Sequence, residues 1–223
     1  MKKVIALLLL TMSLYASNGQ QNRTTNKSDT TMIEKFDFEE YNKRKSALHR
    51  VKGSDGTIVK MDFDNESGGD YYITPPQPSF ITIRKIFYKN GVIEMKGKQI
   101  GTYVDIGIWQ YFNENGKLIK EEDEDKKFGK IKPDDILRFM EKENYINLST
   151  GAGRFDKYER ETFTLGFRQA SDSVIVGAGN NASKWYISIL PIQENRFMET
   201  DYEINGETGE VISKKTYHVL MEE

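Results

Sequence analysis

Gly107-Ile108-Trp109-Gln110-Tyr111-Phe112-Asn113-Glu114-Asn115-Gly116-Lys117-Leu118 is the stretch on which the fold turns. Its first half is aromatic and β-branched, the composition of a strand. Side chains alternate across a strand, so Trp109 and Tyr111 share one face and Phe112 takes the other. Asn115-Gly116 then separates this run from Leu118 and Ile119, and Asn-Gly favours the positive φ angles of a two-residue type I′ hairpin. The same order stands 25 positions earlier, where Phe87, Asn90, Gly91 and Ile93 anticipate Phe112, Asn115, Gly116 and Leu118. Two successive hairpins predict an antiparallel sheet over residues 79–121.

These units resemble the MORN-like repeats of the YwqK family. Gly107, Trp109, Phe112, Asn115, Gly116, Lys117 and Leu118 carry the match, and the first unit, from Phe87 to Gly97, lacks the tryptophan. A hairpin unit buries its face only against a neighbour, so two units need the rest of the chain. The resemblance implies protein binding without catalysis, as in antitoxin components. On that reading Tyr88, Trp109, Tyr111 and Phe112 are the candidate partner-binding residues. Simple sheet packing is the competing role for the same aromatics.

Towards the N-terminus, Thr74-Pro75-Pro76-Gln77-Pro78 predicts a stiff, unpaired connector. Residues 62–70 form an acidic stretch that only loosely resembles a calcium loop. Ser67 stands at the sharp-turn position and no glutamate closes it, so a solvated acidic loop is the expectation. Strand-like runs at 47–52 and 57–63 flank Gly53-Ser54-Asp55-Gly56, a hairpin signal. Asp37, with Glu40 three positions on, reads as the cap of a short helix.

Residues 1–17 read as a secretory signal peptide: Lys2 and Lys3 precede an apolar run from Val4 to Met12 that is too short to span a bilayer comfortably. Leu14-Tyr15-Ala16-Ser17 resembles a bacterial lipobox with serine in the place of the lipidated cysteine. Residues 18–31 are rich in Asn, Gln, Thr and Ser and predict a flexible tether. The expectation is an exported bacterial protein, periplasmic, envelope-associated or secreted, without an integral membrane span.

The run Glu121-Glu122-Asp123-Glu124-Asp125-Lys126-Lys127 places a boundary near residue 128, between an N-terminal β region (32–127) and a C-terminal unit (128–223). Pro133, Asp134 and Asp135 open a helix whose apolar side carries Ile136, Phe139 and Met140. Strands follow. Phe163, Leu165 and Phe167 share a face, as do Trp185, Ile187 and Ile189. In the next strand, Met198, Thr200, Tyr202 and Ile204 alternate with Glu199, Asp201 and Glu203, the pattern of a strand with one wet face. Asn205-Gly206-Glu207-Thr208-Gly209 predicts a turn into a last strand through Val211 and Tyr217. From Trp185 to Val211 this resembles the PepSY domain, a helix followed by antiparallel strands. That implies a non-catalytic inhibitor or regulator of a peptidase.

The expected fold class is therefore α+β: mostly antiparallel sheet with hairpin repeats, plus a helix packed on a C-terminal antiparallel sheet. Whether the two regions share one core stays open. The 223 residues include no cysteine, which excludes disulfides and thiolate chemistry. The two histidines, His49 and His218, are far apart and offer little for a triad or a metal site. Lys and Arg (32) nearly balance Asp and Glu (34), so a large basic nucleic-acid footprint is not expected. Val174 to Ala182 copies the Gly-x-Gly-x-x-Ala fingerprint, but the strand-like Trp185–Ile189 follows where a dinucleotide site needs a helix. The reading is a non-enzymatic protein that binds another protein in an immunity- or antitoxin-like role, with no cofactor and no metal. The alternative is a PepSY-type peptidase inhibitor or regulator.

Overall fold

Seven consecutive antiparallel strands open the fold: β1 (Arg50–Lys52), β2 (Ile58–Asp64), β3 (Gly68–Thr74), β4 (Ile81–Phe87), β5 (Ile93–Ile100), β6 (Val104–Phe112) and β7 (Leu118–Asp123), paired in chain order. A short helix, α1 (Phe38–Lys43), precedes them. After them come a 3-10 turn at Glu124–Lys127, helix α2 (Pro133–Lys142) and a second meander: β8 (Phe163–Arg168), β9 (Lys184–Ile189), β10 (Met198–Asn205) and β11 (Val211–His218), also paired in chain order. This architecture is that of a computed structural model, which describes residues 33–43, 50–101, 103–170, 182–190 and 198–218. The leader, the tether and nearly all of the glycine-rich 174–182 segment lie outside the described residues. The mostly antiparallel class expected from the hairpin signals is what the strands form. No helix among the described residues is long and apolar enough to cross a membrane.

The hairpin turns differ from the expected type. In the Asn-Gly pairs only the glycine takes a positive φ, 76° at Gly91 and 74° at Gly116. Gly91 N–H donates to Tyr88 O at 2.8 Å and Tyr88 N–H to Val92 O at 2.9 Å; Gly116, Asn113 and Lys117 repeat this. Each is a three-residue loop, a type I turn closed by a glycine bulge, and not a two-residue type I′ turn. The bulge absorbs one residue, and the ladder register shifts between Ile86 and Phe87 and again between Tyr111 and Phe112. Gly53 to Thr57 closes the β1–β2 hairpin the same way. At the β2–β3 turn, Asp64 Oδ1 accepts the N–H groups of Ser67 and Glu66 at 2.9 and 2.8 Å. These bonds hold its carboxyl below the usual range. The acidic stretch is thus a hairpin turn closed by its own carboxylate. The proline-rich connector joins β3 to β4 without interrupting the sheet, since the two strands pair from Gly69 to Ile73.

The segment before α1 covers one face of the seven-stranded sheet. Phe36 is buried with Met61, Phe87 and Ile93, its ring 4.8 Å from Phe63 and 5.3 Å from Phe87. Asp37 Oδ1 accepts Glu40 N–H at 2.8 Å, the expected cap. Glu34 lies between Lys85 and Lys96, at 2.5 and 2.8 Å.

A larger buried cluster holds Phe163, Leu165, Trp185, Ile187, Tyr202 and Ile204 of the four-stranded sheet together with Ile136, Leu137 and Met140 of α2. Phe80, Ile100 and Val104, from around the β4–β6 end of the other sheet, belong to it too, so the cluster is continuous across both sheets. Leu165 N–H donates to Gly101 O at 3.2 Å. Gly101 has φ 57°, and a Cβ there would stand 2.6 Å from Leu165 Cγ, which makes this approach a place for glycine. Trp185 Nε1–H donates to Ile131 O at 3.1 Å, and its ring stacks on Phe128 at 5.1 Å.

Candidate functional site

The second face of the seven-stranded sheet carries two cross-strand rows. Register alone builds the first: Arg50 opposes Lys60, Lys60 opposes Tyr72, and Tyr72 opposes Arg84. In the second, Ile58 opposes Thr74, the Thr74 and Thr82 hydroxyls lie 3.3 Å apart, and Thr82 opposes Gln99, which opposes Asp105. Both rows floor a cavity of about 580 Å³. Residues Arg154 to Glu161 form its wall, with Phe155, Glu159 and Glu161 facing in.

The wall is built on a buried cation. Arg154 is 2 % exposed. Its guanidinium donates to Ser79 O at 2.5 Å, Ile81 O at 3.3 Å and Thr82 Oγ1 at 2.8 Å, which ties the wall to the start of β4. Desolvation pulls its pKa down. The wall then turns at Asp156–Arg160 with the same hydrogen bonds as the glycine-closed hairpins, but Glu159 holds the left-handed position, φ 59°. That conformation costs a non-glycine residue about 1–2 kcal/mol. In return, the Glu159 carboxylate accepts from Arg50 Nη1 at 2.7 Å and Lys52 Nζ at 2.9 Å, and its carbonyl accepts from Arg50 Nη2 at 3.1 Å. The strained residue is the latch between the wall and β1.

The floor is charged with opposite signs at its ends. Tyr72 lies between two cations, with Lys60 Nζ 5.9 Å and Arg84 Cζ 5.4 Å from its ring centroid. Arg84 is held by Asp70, Nη2 to Oδ1 at 2.8 Å and Nε to Oδ1 at 3.1 Å. Burial and the nearby Asp70 carboxylate push the Tyr72 hydroxyl up. At the other end Asp105 is half-buried and accepts Gln99 Nε2–H at 2.7 Å. Burial pushes its carboxyl up. Among the described residues no lysine or arginine lies within ion-pair distance of it. The described residues also contain no cluster of three or more acidic or histidine side chains that could hold a metal ion. The floor presents cations and an aromatic face at one end and the Asp105 carboxylate at the other, with Glu159 and Glu161 facing in from the wall.

A shallower depression of about 490 Å³ lies on the outer face of the four-stranded sheet, lined in part by Glu199, Asp201 and Glu203. These acids are engaged locally. Ser188 donates to Glu199, Lys184 pairs with Glu203, and the Tyr217 hydroxyl donates to Asp201 at 2.7 Å. That last bond pushes the Tyr217 hydroxyl up to about 12.

The four candidate aromatics do not form one patch. Trp109 is on the trough's side of the sheet but only 2 % exposed. Its Nε1–H donates to Lys98 O at 3.2 Å, and its ring lies over Gly97, where a Cβ would come within 2.3 Å of it. Tyr111 is half-buried beside Lys120, whose Nζ is 5.0 Å from the ring centroid. Phe112 is on the opposite face, packed against the Phe36 cluster with Lys96 Nζ 5.3 Å from its ring. Tyr88 and Phe112 do meet, the hydroxyl donating to Phe112 O at 2.7 Å. The first row of the trough floor, Arg50, Lys60, Tyr72 and Arg84, consists of polar positions on four consecutive strands. Counting outward from each glycine turn would have placed them on one face; their convergence needed the register.

No protein-family model, no curated protein and no solved structure was found to match this chain.

Proposed function

We propose that this chain is a non-catalytic protein of the exported, envelope-associated or secreted kind that binds another protein, in an immunity- or antitoxin-like role. The observation that carries the reading is the trough: an open cleft with a rigid strand floor, fixed charges of both signs and a wall held by a buried arginine. Preorganised charges on rigid elements favour recognition. Trp109 packs over Gly97 on the trough's side of the sheet, and Tyr111 extends the same face, so the aromatics serve the binding surface as its frame. In this reading α2 is the cover of the C-terminal sheet; the support is the Phe139 ring, 5.2 Å from the Tyr202 ring at 80°.

The test is co-purification of the full chain, tagged at its C-terminus and exported from a bacterial host related to its source. A stoichiometric partner kept by wild type and lost by Lys60→Glu and Asp105→Lys, with both variants folded, supports the reading. A partner that both variants keep removes the trough from it.

A second reading has its own support. A helix followed by a four-stranded antiparallel meander with the Asn205–Gly209 turn is the PepSY order, and the acidic outer face of that sheet is a separate surface. A peptidase regulator acting there would lose its effect with Asp201→Lys and keep it with Lys60→Glu.

A further inference from the structure

We propose that the trough takes an extended stretch of polypeptide bearing an acidic side chain at one end and a basic side chain about six residues away. The proposal rests on the protein-binding reading above and names the chemistry of what is bound.

Three observations carry it. The first is length. The floor runs across the sheet from Lys60 on β2 to Asp105 on β6, four strand steps. At about 4.8 Å per step that is roughly 19 Å. A single amino acid or small zwitterion cannot touch both ends, whereas about six extended residues span that length. The second is polarity. Lys60 has no carboxylate partner among the described residues, and beside it Tyr72 offers a ring face. At the far end the Asp105 carboxylate has only the Gln99 amide as a neutral donor. Glu159 faces in at the cationic end but is taken up by Arg50 and Lys52, and Lys127 and Arg84 act on Asp105 only through space, so Lys60 is left without a directly paired anion and Asp105 without a directly paired cation. The third is the middle, where Thr74, Thr82 and Gln99 present hydroxyl and amide groups of the kind that bond a peptide backbone. A nucleic acid strand or anionic glycan would satisfy the cationic end and set its charge against Asp105. Polypeptide is the common polymer that carries both signs along one chain.

The experiment is a titration of the full chain, isotopically labelled, read by amide NMR, which detects weak binding and locates it. Three end-capped hexapeptides share a Gly/Thr body: one with aspartate first and lysine last, one with aspartate only, one with lysine only. A heparin hexasaccharide is the polyanion arm. The expected result is that the two-sign peptide binds about tenfold more tightly than either single-sign peptide at low salt, shifting amides of β2 to β6 along both rows. Asp105→Asn, which keeps an acceptor for Gln99, should bring the two-sign peptide down to the aspartate-only level. Lys60→Ala should bring it down to the lysine-only level. The proposal is overturned if the three peptides bind within twofold of one another. It is equally overturned if the hexasaccharide outcompetes them all, or if the shifted amides lie off the trough. If the peptides fail while the co-purified partner still depends on Lys60 and Asp105, the trough remains the binding site and only its ligand class is wrong.

Discussion

Replacing Gly97 by alanine tests what holds Trp109 in place. A Cβ at Gly97 would stand 2.3 Å from Trp109 Cδ2 and Cε2 and 2.5 Å from Cγ. These are inner ring atoms of a side chain that is 2 % exposed and tied to Lys98 O, so the ring has to slide off the strand. Overpacking of this kind costs about 1–3 kcal/mol. Gly97 has no left-handed φ, so alanine also narrows the unfolded ensemble and recovers about 0.4–1 kcal/mol. The net expectation for Gly97→Ala is a loss of about 1–2 kcal/mol. Trp109→Ala empties the slot and should cost about 3–5 kcal/mol. In that background the methyl group meets no ring, and Gly97→Ala should become neutral or mildly stabilising. The coupling between the two sites is then about 2 kcal/mol, well above the additivity error for independent positions. The assay is urea unfolding of the four chains by far-UV circular dichroism, with tryptophan fluorescence as a second probe that reports Trp185 of the other sheet alone in the two Trp109→Ala chains. Should Trp109→Ala leave too little folded protein, Trp109→Phe gives the same sign with smaller size. The reasoning fails if Gly97→Ala costs the same with and without the indole, or stabilises the wild-type chain.

Four more outcomes follow from the same contacts. Glu34 feels burial, which raises its pKa, but the hydrogen bonds from Lys85 and Lys96 outweigh it and the net shift is downward. Its contribution is fully present above the ordinary glutamate range and is lost as pH falls through the depressed folded value. The gap in urea midpoint between wild type and Glu34→Gln should therefore be open at pH 7 and close in acid; a gap that is constant with pH would be inconsistent with this. Arg154→Met leaves Ser79 O, Ile81 O and Thr82 Oγ1 without their donor and should cost about 3 kcal/mol, measured by thermal unfolding. Glu159→Gly relieves the left-handed backbone while giving up its partly exposed ion pairs. Stability should hardly move, whereas exchange of the 156–160 amides should speed up as the wall loses its latch. The Tyr202 hydroxyl, pushed up to about 12 chiefly by burial, bonds Tyr145 at 2.8 Å. A raised tyrosine pKa gives stability that is full below about 10 and erodes towards 12. Tyr202→Phe should cost about 1 kcal/mol at pH 8 and lose less at pH 11, by urea titration at each pH.

How much of this was legible beforehand depends on the range of the interaction. The helix cap at Asp37, the glycine turns at Gly91 and Gly116, the alternation in β10 and the apolar side of α2 are set by residues within a few positions of one another. Each was readable from the chain. The turn type is not fixed locally, because Asn-Gly is compatible with two loop lengths, and the one-residue bulge that selects the longer is a property of the whole ladder. For Trp109 the sequence allows packing or contact, and its neighbour decides: Gly97, twelve residues back, lacks the side chain that would otherwise fill the indole's slot. The trough was out of reach for the same physical reason. Arg50, Lys60, Tyr72 and Arg84 come from four strands and meet only through cross-strand register, and the latch joins Arg50 to Glu159 across 109 positions. Sequence alone determined most of the strands, where the glycine turns fall and which faces are buried, because hydrogen bonding and side-chain alternation are local. Only the tertiary structure decided which charges share a cleft, because that follows from strand pairing and from a wall that the other end of the chain provides.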